Sequence, residues 1–104
     1  MDYCRDRSLG VAEATEMIRG IAKFGTVVQS DHCEYERMPE RNLPAQDVQI
    51  ILEEGEVCEP PEPDAKTGDY KYKMVGETID GDRATAVVVI TSHRSICVVT
   101  VIGG

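Results

Sequence analysis

Nothing in this 104-residue chain approaches the ~18–20 apolar residues in a row that span a bilayer. The longest apolar stretch is Ala84–Ile90, interrupted by Thr85. The opening residues, Met1-Asp2-Tyr3-Cys4-Arg5-Asp6-Arg7, lack the apolar core of a secretory signal, so a cytoplasmic location and no membrane partner are expected. No Cys-x-x-Cys pair occurs, and the spacing of Cys4, Cys33, Cys58 and Cys97 matches no zinc ribbon or finger. Without a secretory signal, disulfides are not expected either. The chain also lacks a glycine-rich phosphate loop, a G-x-S-x-G elbow, an H-E-x-x-H helix and internal repeats. Basic side chains are scarce, eleven against nineteen acidic, and the net charge of −8 repels nucleic acid at long range.

The charge is unevenly spread. Residues 1–64 hold six basic and fifteen acidic side chains, whereas residues 65–104 hold five and four. A polyanion therefore docks most easily on the C-terminal part. The plainer alternative is that an acidic surface simply keeps a small protein in solution. The length predicts one domain over 1–104, with 1–7 a flexible tail and 59–68 a proline-rich surface connector.

Helices come first in the chain and strands second. Val11, Ala14, Ile18, Ile21 and Ala22 recur at spacings of three and four, which predicts an amphipathic helix capped by Ser8 and ended by Gly25. Thr26-Val27-Val28-Gln29 reads as a short strand, and Ser30 or Asp31 as the cap of a short helix through about Met38. Pro44 opens a further helix whose buried stripe is Val48, Ile51 and Leu52, with Gly55 as its stop. Glu56-Val57-Cys58 is a brief strand candidate. Glu59-Pro60-Pro61-Glu62-Pro63-Asp64 is neither helix nor central strand, because its three prolines lack backbone donors. Three β-like runs follow: Tyr70–Val75, Ala84–Ile90 and Ile96–Ile102, with Asp80-Gly81 as a hairpin turn. The order predicts an α+β fold, two to three N-terminal helices packed on one face of a small antiparallel sheet.

Three groups of residues carry candidate chemistry. His32, with Arg37 and Arg41 downstream, combines a group that exchanges protons near neutral pH with guanidiniums that grip phosphate. The alternative is that His32 packs at a helix start while the arginines pair with Glu34, Glu36 or Glu40. In Tyr70-Lys71-Tyr72-Lys73, strand alternation sets both tyrosines on one face and both lysines on the other. Lysines on an open sheet face bind phosphates and tyrosines stack bases; alternatively the tyrosines pack under the helices. His93 and Arg94 in the last turn form a third candidate, able to position and protonate a phosphate or simply to be solvated. A two-histidine, two-cysteine metal site from His32, Cys33, His93 and Cys97 is a further alternative without specific ligand spacing, and Cys97 alternatively packs as a small buried hydrophobe.

The order Ser30-Asp31-His32, Arg37-Met38-Pro39-Glu40-Arg41, Asp47-Val48 and Gly55-Glu56-Val57 resembles a bacterial family of domains of unknown function. Tyr70 through Gly76, Asp80-Gly81 and the two valine-rich strands resemble its second half, so the resemblance covers about residues 8–102. That family is in turn similar to toxins of type II toxin–antitoxin systems: the motility quorum-sensing regulator MqsR and, more distantly, RelE and ParE. The resemblance implies a RelE/MqsR-like fold and a metal-independent endoribonuclease that cuts messenger RNA, needs no cofactor, and is restrained by a cognate antitoxin; mRNA or the ribosome would be its other partner. It implies His32, Tyr72 and Lys73 as catalytic residues and Arg37, Arg41, Lys71, His93 and Arg94 as substrate-binding ones. A non-catalytic protein-binding module of the same fold, using acidic surface and a sheet edge, is the alternative.

Overall fold

The computed structural model describes residues 8–30, 43–65 and 68–103. The apolar spacing near the start winds helix α1, Val11–Phe24, whose buried stripe is Ala14, Thr15, Ile18, Ile21 and Ala22. Val11 remains 38% exposed and falls outside that stripe. The N-cap is Gly10 rather than Ser8, with no side-chain cap, and Ala14 N donates to Gly10 O at 2.8 Å. Gly25 caps the other end at a φ of −115°, so it ends the helix without the left-handed turn that usually favours glycine there. Strand β1, Thr26–Gln29, follows at once. Helix α2, Ala45–Glu54, starts after Pro44 and buries Val48, Ile51 and Leu52, as its spacing predicts. Each of these aliphatic side chains contributes roughly 1.5–3 kcal/mol by leaving water.

The two helices cap one another. Arg19 of α1 donates from Nε to Gly55 O at 2.7 Å and from Nη2 to Glu54 O at 3.3 Å. Gln49 of α2 donates from Nε2 to Ala22 O at 2.6 Å. Helix ends leave carbonyls without intrahelical partners, and each helix here supplies donors to the other's last turn.

The remaining strands are β2 (Glu56–Val57), β3 (Glu62–Pro63), β4 (Tyr70–Glu77), β5 (Arg83–Ser92) and β6 (Ser95–Gly103). The sheet order is β1-β6-β5-β4-β2, and β3 pairs with β4. The meander β4-β5-β6 is antiparallel as expected, but β1 pairs parallel to β6, Thr26 opposite Ser95. Among the described residues the α+β architecture therefore consists of two helices on a six-stranded mixed sheet, larger than the small antiparallel one predicted. Tyr72, Met74, Ala86, Val88, Ile90, Ile96 and Val98 turn inward and share one core with the helices. Val87 and Val89, on the opposite face of β5, are also buried, which fits the unbroken apolar run of that strand.

The β4–β5 hairpin turns at Thr78–Asp82. Thr78 N donates to Asp82 O at 2.8 Å, and Gly81 takes a φ of +87° that a side chain would oppose. Asp47 Oδ1 accepts Ile79 N at 3.2 Å and ties this tip to the start of α2. The predicted tail 1–7 and the predicted short helix after Ser30 lie outside the described residues.

Candidate functional site

Strand β4 carries the best-defined cationic feature. Tyr72 and Met74 point into the core, so Lys71 and Lys73 share the opposite face, about 6.6 Å apart along the strand. Both lysines are half exposed, and both meet carboxylates. Lys73 Nζ lies 3.4 Å from Glu62 Oε1 and 3.5 Å from Glu59 Oε1. Lys71 Nζ lies 3.9 Å from Asp64 Oδ2. The hydrogen bond and the charge of Glu62, then those of Glu59, hold the Lys73 ammonium above its ordinary pKa, so it is cationic at neutral pH. The proline-rich segment brings these acids to the lysines. Strand β3 sets Glu62 opposite Lys71 and Pro63 opposite Tyr70. Beyond it, Asp64 N donates to Asp69 O and Gly68 N to Asp64 O, both at 2.8 Å.

Tyr72 has a different place from its neighbours. The ring is fully buried, and its hydroxyl accepts Leu9 N at 2.9 Å. Burial, ahead of every other cause, pushes its phenol pKa up. An enclosed ring offers no face to a base. Of the two readings of the tyrosine–lysine run, the packed one describes Tyr72.

His93 and Arg94 form the two-residue turn between Ser92 and Ser95, and both are exposed. Hydroxyls brace the turn. Ser95 Oγ lies 2.6 Å from Thr91 Oγ1 and 2.7 Å from Ser92 Oγ, and Arg94 N donates to Ser92 Oγ at 3.2 Å. Arg94 O accepts Thr26 N at 2.7 Å, anchoring the turn to β1. Tyr72 pairs with Val88 and Gly76 with Ala84, so β4 begins at the end of the sheet where this turn closes. Lys73 pairs with Val87 near the middle of β5, so the lysine row runs from mid-sheet toward the end where His93 and Arg94 turn. Phe24, 89% exposed, lies just before β1 at that same end. Phe24 ends α1 outside its buried stripe, and that spacing is the sequence signal for its exposure. His32, Arg37 and Arg41 lie outside the described residues, as do Cys4 and Cys33. Cys97, in β6, is half-buried with its thiol pKa pushed up by burial. Among the described residues no three His, Cys, Asp or Glu side chains are grouped to hold a metal.

An open groove of about 930 Å³, away from the lysine row, lies between the end of α2, β2 and the β4–β5 tip. Its charged lining mixes Arg19 and Arg83 with Glu54, Glu56 and Glu77. Arg19 is already committed to carbonyls there. No helix among the described residues is long and apolar enough to cross a membrane.

No curated protein and no solved structure matches the chain. A family model described as a domain of unknown function (DUF4258) matches residues 29–102. The matched span takes in both lysines, the acidic segment and the β5–β6 turn, and leaves α1 outside it. With most of its length inside that model, the chain belongs to the DUF4258 family of domains of unknown function.

Proposed function

We propose that this chain is a toxin-like, metal-independent endoribonuclease of the RelE/MqsR kind, restrained in the cell by a cognate antitoxin. The observation that carries the reading is the pair Lys71 and Lys73 side by side on the outer face of β4, in a chain whose overall charge is −8. In this chemistry a base takes the proton of an RNA 2′-hydroxyl. The oxygen attacks the adjacent phosphorus, the bond to the 5′-oxygen breaks, and an acid protonates that leaving oxygen. The products are a 2′,3′-cyclic phosphate and a 5′-hydroxyl.

His32 and His93 supply the proton-transfer groups, because imidazole exchanges protons near neutral pH. Lys71, Lys73, Arg37, Arg41 and Arg94 hold the phosphate and offset the charge that develops on it. Tyr72 supports the strand from the core and takes no part in proton transfer, since its hydroxyl is engaged with Leu9.

A second reading is a non-catalytic protein-binding module. The pairing of both lysines with carboxylates favours it, because paired lysines present little net charge to RNA.

The deciding experiment is controlled expression in a bacterial host, following growth and messenger RNA, beside His32→Ala and Lys73→Ala. Ribonuclease action is expected to arrest growth with loss of transcripts in the wild type and not in the variants. Accumulation of folded wild-type protein with growth and RNA unchanged sinks the ribonuclease reading and leaves the binding module.

A further inference from the structure

The acidic connector has three carboxylates between Glu59 and Asp64, and each lies against one of the two lysines on the outer face of β4. A connector needed only to cross the surface has no reason to place every acid of its own on a cation. We propose that this segment is a displaceable strap, in which Glu59, Glu62 and Asp64 occupy the positions that RNA phosphates take on Lys71 and Lys73. The inference rests on the ribonuclease reading and adds the regulation of its site.

The geometry suits a strap that is seated but weakly held. Lys71 and Lys73 stand two residues apart on one face, an arrangement that addresses successive anionic groups of an extended chain. Glu62 sits opposite Lys71 in the β3–β4 register, while its carboxylate reaches Lys73. The strap's carboxylates therefore run along the lysine row as a short polyanion would.

Pro60, Pro61 and Pro63 stiffen the segment, which lowers the entropy lost on seating it, and they remove three backbone donors. The β3–β4 pairing is accordingly only two residues long. All five side chains of the three pairs are at least 30% exposed. Exposed ion pairs are weak and screened by salt, so a phosphate chain competes with them on even terms. Both ends are anchored independently of the lysines. Val57 N donates to Thr15 Oγ1 at 2.9 Å on one side, and the backbone bond from Asp64 N to Asp69 O at 2.8 Å holds the other. Release of the middle leaves the core of the fold in place.

The test separates binding from cleavage. A short, fluorescently labelled 2′-O-methyl oligouridylate, which has no free 2′-hydroxyl to attack, is titrated against four full-length proteins: wild type, E59Q/E62Q/D64N, that variant with K71Q/K73Q added, and E13Q/E16Q/E54Q. The last makes the same change in net charge at exposed positions away from the strap. Circular dichroism confirms that each protein is folded. The strap variant is expected to bind about tenfold tighter than wild type, the lysine changes to abolish the gain, and the control to gain little. An equal gain in the control, a gain that survives loss of the lysines, or no gain at all overturns the strap. The same proteins are then given unmodified oligouridylate. Faster cleavage by the strap variant supports both ideas. Tight binding by that variant with intact RNA rejects the ribonuclease reading and leaves the strap. Cleavage at one rate by wild type and strap variant rejects the strap and leaves the ribonuclease.

Discussion

At the scale of single residues, Tyr72 and Lys73 show how neighbours in sequence acquire opposite roles. Alternation along β4 sends one into the core and the other to the outer face. The Tyr72 hydroxyl is the acceptor for Leu9 N, a backbone donor that is otherwise buried with no strand partner. Tyr72→Phe is expected to cost about 1 kcal/mol of stability, read from the urea midpoint, because it strands that donor. The phenol's raised pKa adds a pH signature. The folded state holds the proton more tightly than the unfolded state, so stability falls as pH rises above about 10. The phenylalanine variant should lose less stability between pH 9 and pH 11 than wild type; parallel losses would show that other groups govern the alkaline limb. For Lys73 the sign is that of a paired cation. Its contribution is present below its ordinary pKa and is lost only as pH rises through the raised value, so the strap pairs persist across neutral pH on the lysine side.

At the scale of elements, close approaches decide what the periodicity leaves open. A Cβ added at Gly55 would lie 2.5 Å from both Ile51 O and Val75 O, where α2 ends against β4. Both obstacles are backbone, so neither can yield cheaply. Gly20, inside α1, has nothing within 4 Å of its added Cβ. The two alanine substitutions should therefore move stability in opposite directions. Gly20→Ala is expected to stabilise by about 0.5–1 kcal/mol through helix propensity and a less flexible unfolded chain. Gly55→Ala is expected to destabilise by about 1–3 kcal/mol through overpacking. Denaturant midpoints of the two variants check this, and a shift of the same sign in both would contradict the packing described for the end of α2. Much of this level was readable in advance. The stripes Ala14-Ile18-Ile21-Ala22 and Val48-Ile51-Leu52, the stop at Gly55, the turn at Asp80-Gly81 and the three long strands follow from local pattern. The Gly10 cap was not readable, because no side chain there makes the cap and only the backbone bond from Ala14 marks it.

At the scale of the whole molecule, charge and topology act together. The C-terminal part carries the small positive balance, yet its two outward lysines are met by acids from the acidic part. Exchange of strap for RNA leaves the lysines neutralised before and after. The freed carboxylates then take up cations while the RNA releases them. Wild-type affinity should therefore fall with salt less steeply than that of E59Q/E62Q/D64N, by about one unit of log–log slope. Equal slopes would mean that the carboxylates do not leave the lysines when RNA binds.

The amino-acid order alone determined α1, α2, β1 and the three long strands, because 3.6- and 2-residue periodicities are local and the Gly and Pro signals interrupt them in place. It determined the split in charge and the alternation that sets Lys71 and Lys73 on one face. Tertiary structure decided the rest. It added β1 in parallel to β6, a pairing across nearly seventy residues that no local pattern specifies. It brought Glu59, Glu62 and Asp64 to the lysines through the register of a two-residue strand, and it set the His93-Arg94 turn at the end of the sheet where β4 begins. Contacts of that kind depend on how folded elements meet, and the residues that make them carry no mark of it in their own neighbourhoods.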